Sequence, residues 1–152
     1  MKLQTKYVGA VDVKEEKIIN FPFGLPGFEK ETSFVLLELP GNPIFQTLQS
    51  VTNENLAFIV IHPYHLYKDY EFKLDQTIQD HLKIQEQADV FVLTIVTLKQ
   101  PFEQSTINLK APIIINEKEM LAKQYVLVDD AYETKAPLHV ETDEDESKDA
   151  RT

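Results

Sequence analysis

Four histidines, His62, His65, His81 and His139, are the side chains best suited to bind a metal or move a proton near neutral pH. His62 and His65 stand three residues apart around Pro63-Tyr64. Pro63 disfavours the helix that would aim both rings at one ion, and no third ligand lies close by. They read as polar loop residues at a strand end. The chain has no cysteine, which removes disulfides, thiolate nucleophiles and cysteine-ligated zinc or iron–sulfur sites. Ser33, Ser50, Ser105 and Ser147 stand in no nucleophile-elbow sequence, and four glycines leave little material for a phosphate-cradling loop. Asp143-Glu144-Asp145-Glu146 lacks the spacing and the turn glycine of a calcium loop. No spacing selects a pair of carboxylates for acid–base work. The expectation is no catalytic residue, no metal and no cofactor: a protein that acts by binding other proteins.

Charge narrows the partners. The 152 residues carry a net charge of −10. Nucleic acid and anionic membrane surfaces are gripped by basic patches, so direct binding to either is not expected. A basic partner, or a role in keeping polyanions away, fits better. Residues 129–152 hold nine acids and three bases, or −6, leaving −4 for residues 1–128. The longest apolar runs, Val90-Phe91-Val92-Leu93 and Pro112-Ile113-Ile114-Ile115, fall far short of the roughly 20 residues of a membrane span. The first six residues lack the apolar stretch of a secretory signal, so a cytoplasmic location is expected.

The elements that would position any site read as strands. Residues 3–13 alternate loosely, 17–21 follow a charged turn, and 34–39 end at the turn signal Pro40-Gly41-Asn42-Pro43. Residues 57–61 form a β-branched and aromatic run. Residues 90–98 give the clearest strand. Val90, Val92, Thr94, Val96 and Leu98 share one face and Phe91, Leu93 and Ile95 the other, so a central position is expected. Residues 106–109 and 113–115 flank Ala111-Pro112, where proline marks an edge or bend. Residues 124–128 close the body.

A helix is expected over 76–84, with Asp75 as N-cap and Ile78 and Leu82 as an apolar i, i+4 pair, and a second short one over 117–123. The fold class is therefore mostly β: a small antiparallel β-barrel-like domain with one or two short helices, spanning residues 1–132. Residues 133–152 form an acidic tail expected to be disordered, since Glu141 to Asp149 offer little apolar surface to bury.

The distinctive stretches are aromatic and apolar. Phe21-Pro22-Phe23-Gly24-Leu25-Pro26-Gly27-Phe28-Glu29 sets three phenylalanines around two turn elements, and Pro26-Gly27 suits the centre of a type II turn. At least two of these phenylalanines are expected to plug one end of the barrel. In Pro43-Ile44-Phe45-Gln46-Thr47-Leu48-Gln49-Ser50, Phe45 and Leu48 read as core. Gln49 and Ser50 have no evident packing reason to follow and are expected free to contact a partner.

In this order and spacing, these stretches resemble the flagellar assembly factor FliW family. The resemblance runs over about residues 9–127. It includes Phe23-Gly24-Leu25-Pro26-Gly27-Phe28-Glu29, Pro43-Ile44-Phe45 with Leu48-Gln49-Ser50, the segment from Phe58 to Pro63 followed by Tyr70, Thr106-Ile107-Asn108-Leu109 with Ala111-Pro112-Ile113, and Gln124-Tyr125. It does not extend to the acidic tail.

The resemblance implies a non-enzymatic protein with two protein partners: cytoplasmic flagellin, held through its C-terminal helical region, and the RNA-binding translational repressor CsrA. It implies a partner switch, in which accumulated flagellin occupies this protein and leaves CsrA free to repress flagellin translation. An apolar helical segment needs a groove of aliphatic and aromatic side chains. Phe45, Leu48, Gln49 and Ser50 are the expected contacts, Phe58 and Pro63 their supports, and Asn108 a backbone anchor. An acidic face of Asp69, Glu71 and Asp75 is expected beside that surface to repel phosphates. Two competing readings are an oligonucleotide-binding small barrel, disfavoured by the acidic balance and the absence of tryptophan, and a barrel enclosing a small ligand.

Overall fold

The structure, a computed structural model, describes residues 1–128 and 130–138. Its strands are β1 (Lys2–Gln4), β2 (Ala10–Asp12), β3 (Ile19–Asn20), β4 (Ser33–Leu39), β5 (Asn42–Ser50), β6 (Ala57–Ile61), β7 (Val90–Thr97), β8 (Thr106–Ile107), β9 (Ile113–Asn116), β10 (Leu121–Gln124) and β11 (Ala136–Pro137), with one helix, α1 (Gln76–His81). Among the described residues no helix is long and apolar enough to cross a membrane.

Strands β3 to β7 form an antiparallel meander, β9 returns antiparallel to β7, and β10 pairs with β9 and then, in parallel, with β3 through Leu121 and Asn20. The sheet thus closes into a circuit of seven strands. β7 is its pivot. Thr94 and Ile95 pair with β6, while the other edge pairs with β9 over Val90–Leu93 and with β8 at Val96 and Thr97. Pro112, which has no N–H to give a ladder, lies in the interruption between β8 and β9. The hairpin β1–β2 packs through Leu3 and Val13 on Val35 of β4.

The two-faced pattern of β7 produces two cores. Ile19, Phe34, Leu48, Val60, Leu93, Ile113, Ile115 and Ala122 come from all seven strands of the circuit and fill its interior, joined by Phe21 and Leu25 from the loop after β3. Phe21 meets Phe34 edge-on at 5.1 Å. On the outside, Ile61, Val92, Val96, Ile107 and Ile114 are covered by Tyr70, Ile78, Leu82, Leu109, Leu127, Ala136 and Leu138. Each buried valine, leucine, isoleucine or phenylalanine among them contributes roughly 1.5–3 kcal/mol relative to exposure.

Four expectations change. Helix α1 has its expected cap, with the Ile78 amide donating to Asp75 Oδ1 at 2.9 Å, but it stops at His81. Lys83 takes φ +55°, and the buried Asn116 amide donates to the Leu82 and Lys83 carbonyls, satisfying groups that a longer helix would have used. Residues 117–123 are not helical. Asn116 Oδ1 accepts from the Lys118 and Glu119 amides, offering them an alternative to a helix, and Leu121–Gln124 is strand β10 with Ala122 buried in the circuit. Only Gln124 of residues 124–128 is in a strand. The Tyr125 and Leu127 amides pair instead with the Pro112 and Lys110 carbonyls. Finally, the ordered body does not end at residue 132. Ala136 and Pro137 pair with β8, Tyr67 donates its hydroxyl to the Pro137 carbonyl at 2.7 Å, and Leu138 is buried. The acidic stretch beyond it, and His139, lie outside the described residues.

The phenylalanine loop is half as expected. Phe28 N–H donates to the Leu25 carbonyl around Pro26-Gly27, and Gly27 has φ +85°, which is a type II turn. Of the three phenylalanines only Phe21 is buried; Phe23 and Phe28 are 49% and 41% exposed, so one plugs the core instead of two. Gly24 has φ +65°, and a Cβ there would lie 2.5 Å from the Glu29 backbone. Gly24→Ala should therefore cost about 2–4 kcal/mol, from the left-handed backbone and the overpacking together. Gly27→Ala, with open space around it, should cost about 1–2 kcal/mol. Denaturant unfolding of the two variants checks the order, and equal costs would refute it.

Candidate partner-binding surface

Strand β5 sends successive side chains to opposite faces, and this decides the fate of the residues expected to meet a partner. Leu48 points into the circuit and is fully buried. Gln49 points the other way but is fully buried too. Its Oε1 accepts from the Lys6 amide at 2.9 Å, and its Nε2 lies within 3.1–3.2 Å of the carbonyls of Ser50, Asn53, Glu54 and Leu56. A buried amide is costly unless bonded. Gln49 meets that demand by tying the β1–β2 loop and the β5–β6 turn to the strand between them. Ser50 is likewise buried. Its hydroxyl donates to Glu31 Oε2 at 2.9 Å and accepts from the Thr52 and Asn53 amides. The expectation that Gln49 and Ser50 are free to contact a partner is thus corrected: both have a structural task that sequence spacing does not display.

The other expected contacts do not gather into one surface. Phe45 is half-buried on the outer face, edge-on to the half-exposed Phe102 at 6.3 Å. Phe58 faces the circuit interior and meets the exposed Phe28 edge-on at 5.7 Å. Pro63 is buried at the start of the Pro63–His65 turn. Asn108 Oδ1 accepts the Ala111 amide of its own chain at 3.0 Å, bracing the turn that leads into β9. His62 and His65 have ring centroids 6.0 Å apart; burial, then the neighbouring His65, pushes the His62 ring below its usual range.

The acidic residues fare differently. Asp69, Glu71 and Asp75 are all exposed on the connection that leads from the Pro63–His65 turn to α1. Asp75 is partly occupied. Besides capping α1, its Oδ2 accepts from the Tyr125 hydroxyl at 3.3 Å, and Tyr125 is raised above its usual range by burial and then by the Asp75 charge. Glu71 and Asp75 stand at the rim of a groove of about 720 Å³ floored by Phe72, Leu74, Tyr125 and Leu127. Glu71, Phe72 and Leu74 also border a second groove of about 380 Å³ that reaches Ile84, Val90 and Val92. Asp69 lines neither. A third groove, of about 660 Å³, runs over Ile19, Leu36, Phe91, Ile115 and Met120, with lysines and acids both at its rim.

The sequence does not single out Phe102, 50% exposed in a polar loop, and marks Phe23 only as one of three loop phenylalanines; the Phe23 ring lies 4.9 Å from that of His81 and 4.4 Å from Lys123 Nζ. The one available signal was that both phenylalanines adjoin proline in segments without strand periodicity.

Two outcomes follow for the β5 network. Gln49→Ala leaves the Lys6 amide and several carbonyls without their partner and should lower the unfolding free energy by about 1–3 kcal/mol, measurable in denaturant. Hydrogen bonds from Thr52 and then Ser50 hold the Glu31 carboxyl below its usual range. Thr52→Ala and Ser50→Ala should each raise the Glu31 pKa toward 4.5, the threonine change more, in a carboxyl-carbon NMR titration. Because the folded pKa is depressed, this contribution to stability is present above the unfolded value and lost as pH falls through the folded one.

Comparison with known proteins completes the site. Residues 2–138 match the FliW protein family. The flagellar assembly factor FliW of Oceanobacillus iheyensis is 52% identical over 138 residues, covering 91% of this chain and 94% of that protein. That of Bacillus subtilis is also 52% identical over 138 residues, covering 91% and 96%. A crystal structure of the flagellar assembly factor FliW superposes with a TM-score of 0.85 at 39% identity, covering 93% of this chain and 99% of the other. The fold matches that structure over nearly all of both chains, and the chain belongs to the FliW family of flagellar assembly factors.

Proposed function

We propose that this flagellar assembly factor works without catalysis, in the cytoplasm, by holding flagellin through its C-terminal helical region and by antagonising the translational repressor CsrA. Flagellin that accumulates occupies the protein and frees CsrA; flagellin that is exported releases the protein to act on CsrA. Synthesis is thereby coupled to export. The observation that carries the reading, beside family membership, is the acidic side: Glu71 and Asp75 at the rim of an apolar groove in a chain of net charge −10. CsrA must be basic where it grips RNA, and carboxylates there would attract the protein and repel phosphate.

The direct test is calorimetric titration of the full chain with monomeric flagellin and with CsrA, each repeated in the presence of the other. The expected result is binding to both with mutual weakening, the reciprocity that linkage requires. Binding to neither overturns the reading. Within it, Asp69→Lys combined with Glu71→Lys should weaken CsrA antagonism while leaving flagellin binding intact, because both side chains are exposed and make no hydrogen bond among the described residues. Asp75 is left untouched because its carboxylate caps α1. Unchanged antagonism in a translation-repression assay refutes the role of these two acids.

A further inference from the structure

The connection between Tyr70 and Asp75 has neither helix nor strand, yet its exposure alternates: Glu71 exposed, Phe72 half-buried, Lys73 exposed, Leu74 half-buried. That period of two belongs to an extended strand laid on a core, and Phe72 and Leu74 indeed pack on the outer core. Unlike every strand of the circuit, the segment has no strand beside it. The Glu71 amide donates to the Tyr132 hydroxyl at 3.1 Å and the Leu74 carbonyl accepts from Gln79 Nε2 at 2.8 Å. The amides of Phe72, Lys73 and Leu74 make no hydrogen bond among the described residues.

Grooves border the segment. The one of about 380 Å³ separates it from Ile84 and from the start of β7, where Val90 and Val92 turn apolar side chains outward. Such a volume falls within the roughly 300–1,000 Å³ of ligand sites. An unpaired backbone with a strand's alternation, next to a trough that sets Phe72, Leu74, Ile84 and Val90 among the polar Gln79, Gln85 and Gln87, offers what a chain adding itself as a strand requires: main-chain hydrogen bonds for affinity and pockets for alternate side chains. The rim gives the sign of the partner's charge. Glu71 and Glu86 border this groove and Asp75 the adjoining one, against the single base Lys73.

We propose that residues 72–74 receive, as an added β-strand, an extended segment of a partner protein with apolar side chains at alternate positions and lysine or arginine at its flanks. The inference deepens the acidic-side reading above and rests on it for the sign of the partner's charge.

The test is an NMR titration of the isotope-labelled full chain with a synthetic decapeptide that alternates threonine and valine between flanking lysines, and with the same peptide flanked by glutamates. The expected result is saturable shifts at Phe72, Leu74, Val90 and Val92 with the basic peptide, and amide exchange at 72–74 slowed by about tenfold or more. Glu71→Lys should weaken binding and Lys73→Glu strengthen it, each by roughly two- to fivefold. Both residues are exposed, so the fold should be kept. Equal affinity for the two peptides, shifts confined to another surface, or shifts without amide protection each overturn the proposal. If CsrA depends on Glu71 while the basic peptide leaves the amides at 72–74 unprotected, the added strand is wrong and the acidic-side reading stands. If the peptide protects them while CsrA antagonism ignores Asp69 and Glu71, the added strand stands alone.

Discussion

The structure depends on a sheet that is apolar on both faces where β7 meets β9. Ile113, Ile114 and Ile115 are all fully buried, the first and third inside the circuit and the second outside it. Closing the sheet covers the inner face without any further element. The outer face then has to be covered by whatever chain remains, and that chain is the connection from 62 to 89 with its short helix, the segment 125–128 and the stretch 130–138. A two-residue strand and a six-residue helix would be marginal alone. Here they are held because Ile61, Val92, Val96 and Ile107 need them.

Polar groups caught between these layers set the details. Asn116 sits at the end of β9, fully buried, and bonds the end of α1 on one side and the turn into β10 on the other. Thr94 donates to the Ile61 carbonyl and Tyr70 to that of Leu109. No buried side-chain nitrogen or oxygen among the described residues lacks a hydrogen bond. Such networks specify geometry because a partly satisfied one is worse than none. They fix where the cover sits on the sheet, and hence where Glu71 and the grooves beside it are placed.

Much of this was legible. The two-faced run 90–98 pointed to a central strand, and β7 is flanked on both edges; Asp75 pointed to an N-cap, and it is one. Pro26-Gly27 announced its turn. What failed has a common cause. Gln49, Ser50 and Asn116 act through contacts with segments distant in sequence or through local side-chain bonds that compete with helix, and neither leaves a periodic trace. Residues 117–123 have good helix formers, but Asn116 takes the first amides and Ile113–Asn116 offers a ladder. Residues 133–138 look like the start of a charged tail, yet Ala136 and Leu138 are what the outer face of β8 lacks. Of the candidate site, the exposure of Asp69, Glu71 and Asp75 could be read, because charged side chains are seldom buried. The apolar members could not, since Phe45, Phe58 and Pro63 give no sign of which face they take.

The division between sheet and cover bears on how such a protein can serve partners. Each circuit strand has a paired neighbour on either side and sends side chains into the shared inner core, so changing their arrangement would break many contacts at once. The connection 70–75 carries few backbone hydrogen bonds, the amides of Phe72, Lys73 and Leu74 making none among the described residues, and segments of that kind sit at the low-stability end of a fold. Binding energy of a few kcal/mol is enough to move the second class and not the first. The acids are distributed accordingly: the rims of the grooves on the cover are mainly acidic, while the groove over Ile19, Phe91 and Met120 mixes Lys14, Lys17 and Lys118 with Asp12, Glu16 and Glu117. At physiological salt a charge is felt over about 8 Å, so the acidic rim speaks to what docks on the cover and little to what docks across the circuit. A basic partner is therefore steered to the side of the molecule that has the adjustable backbone.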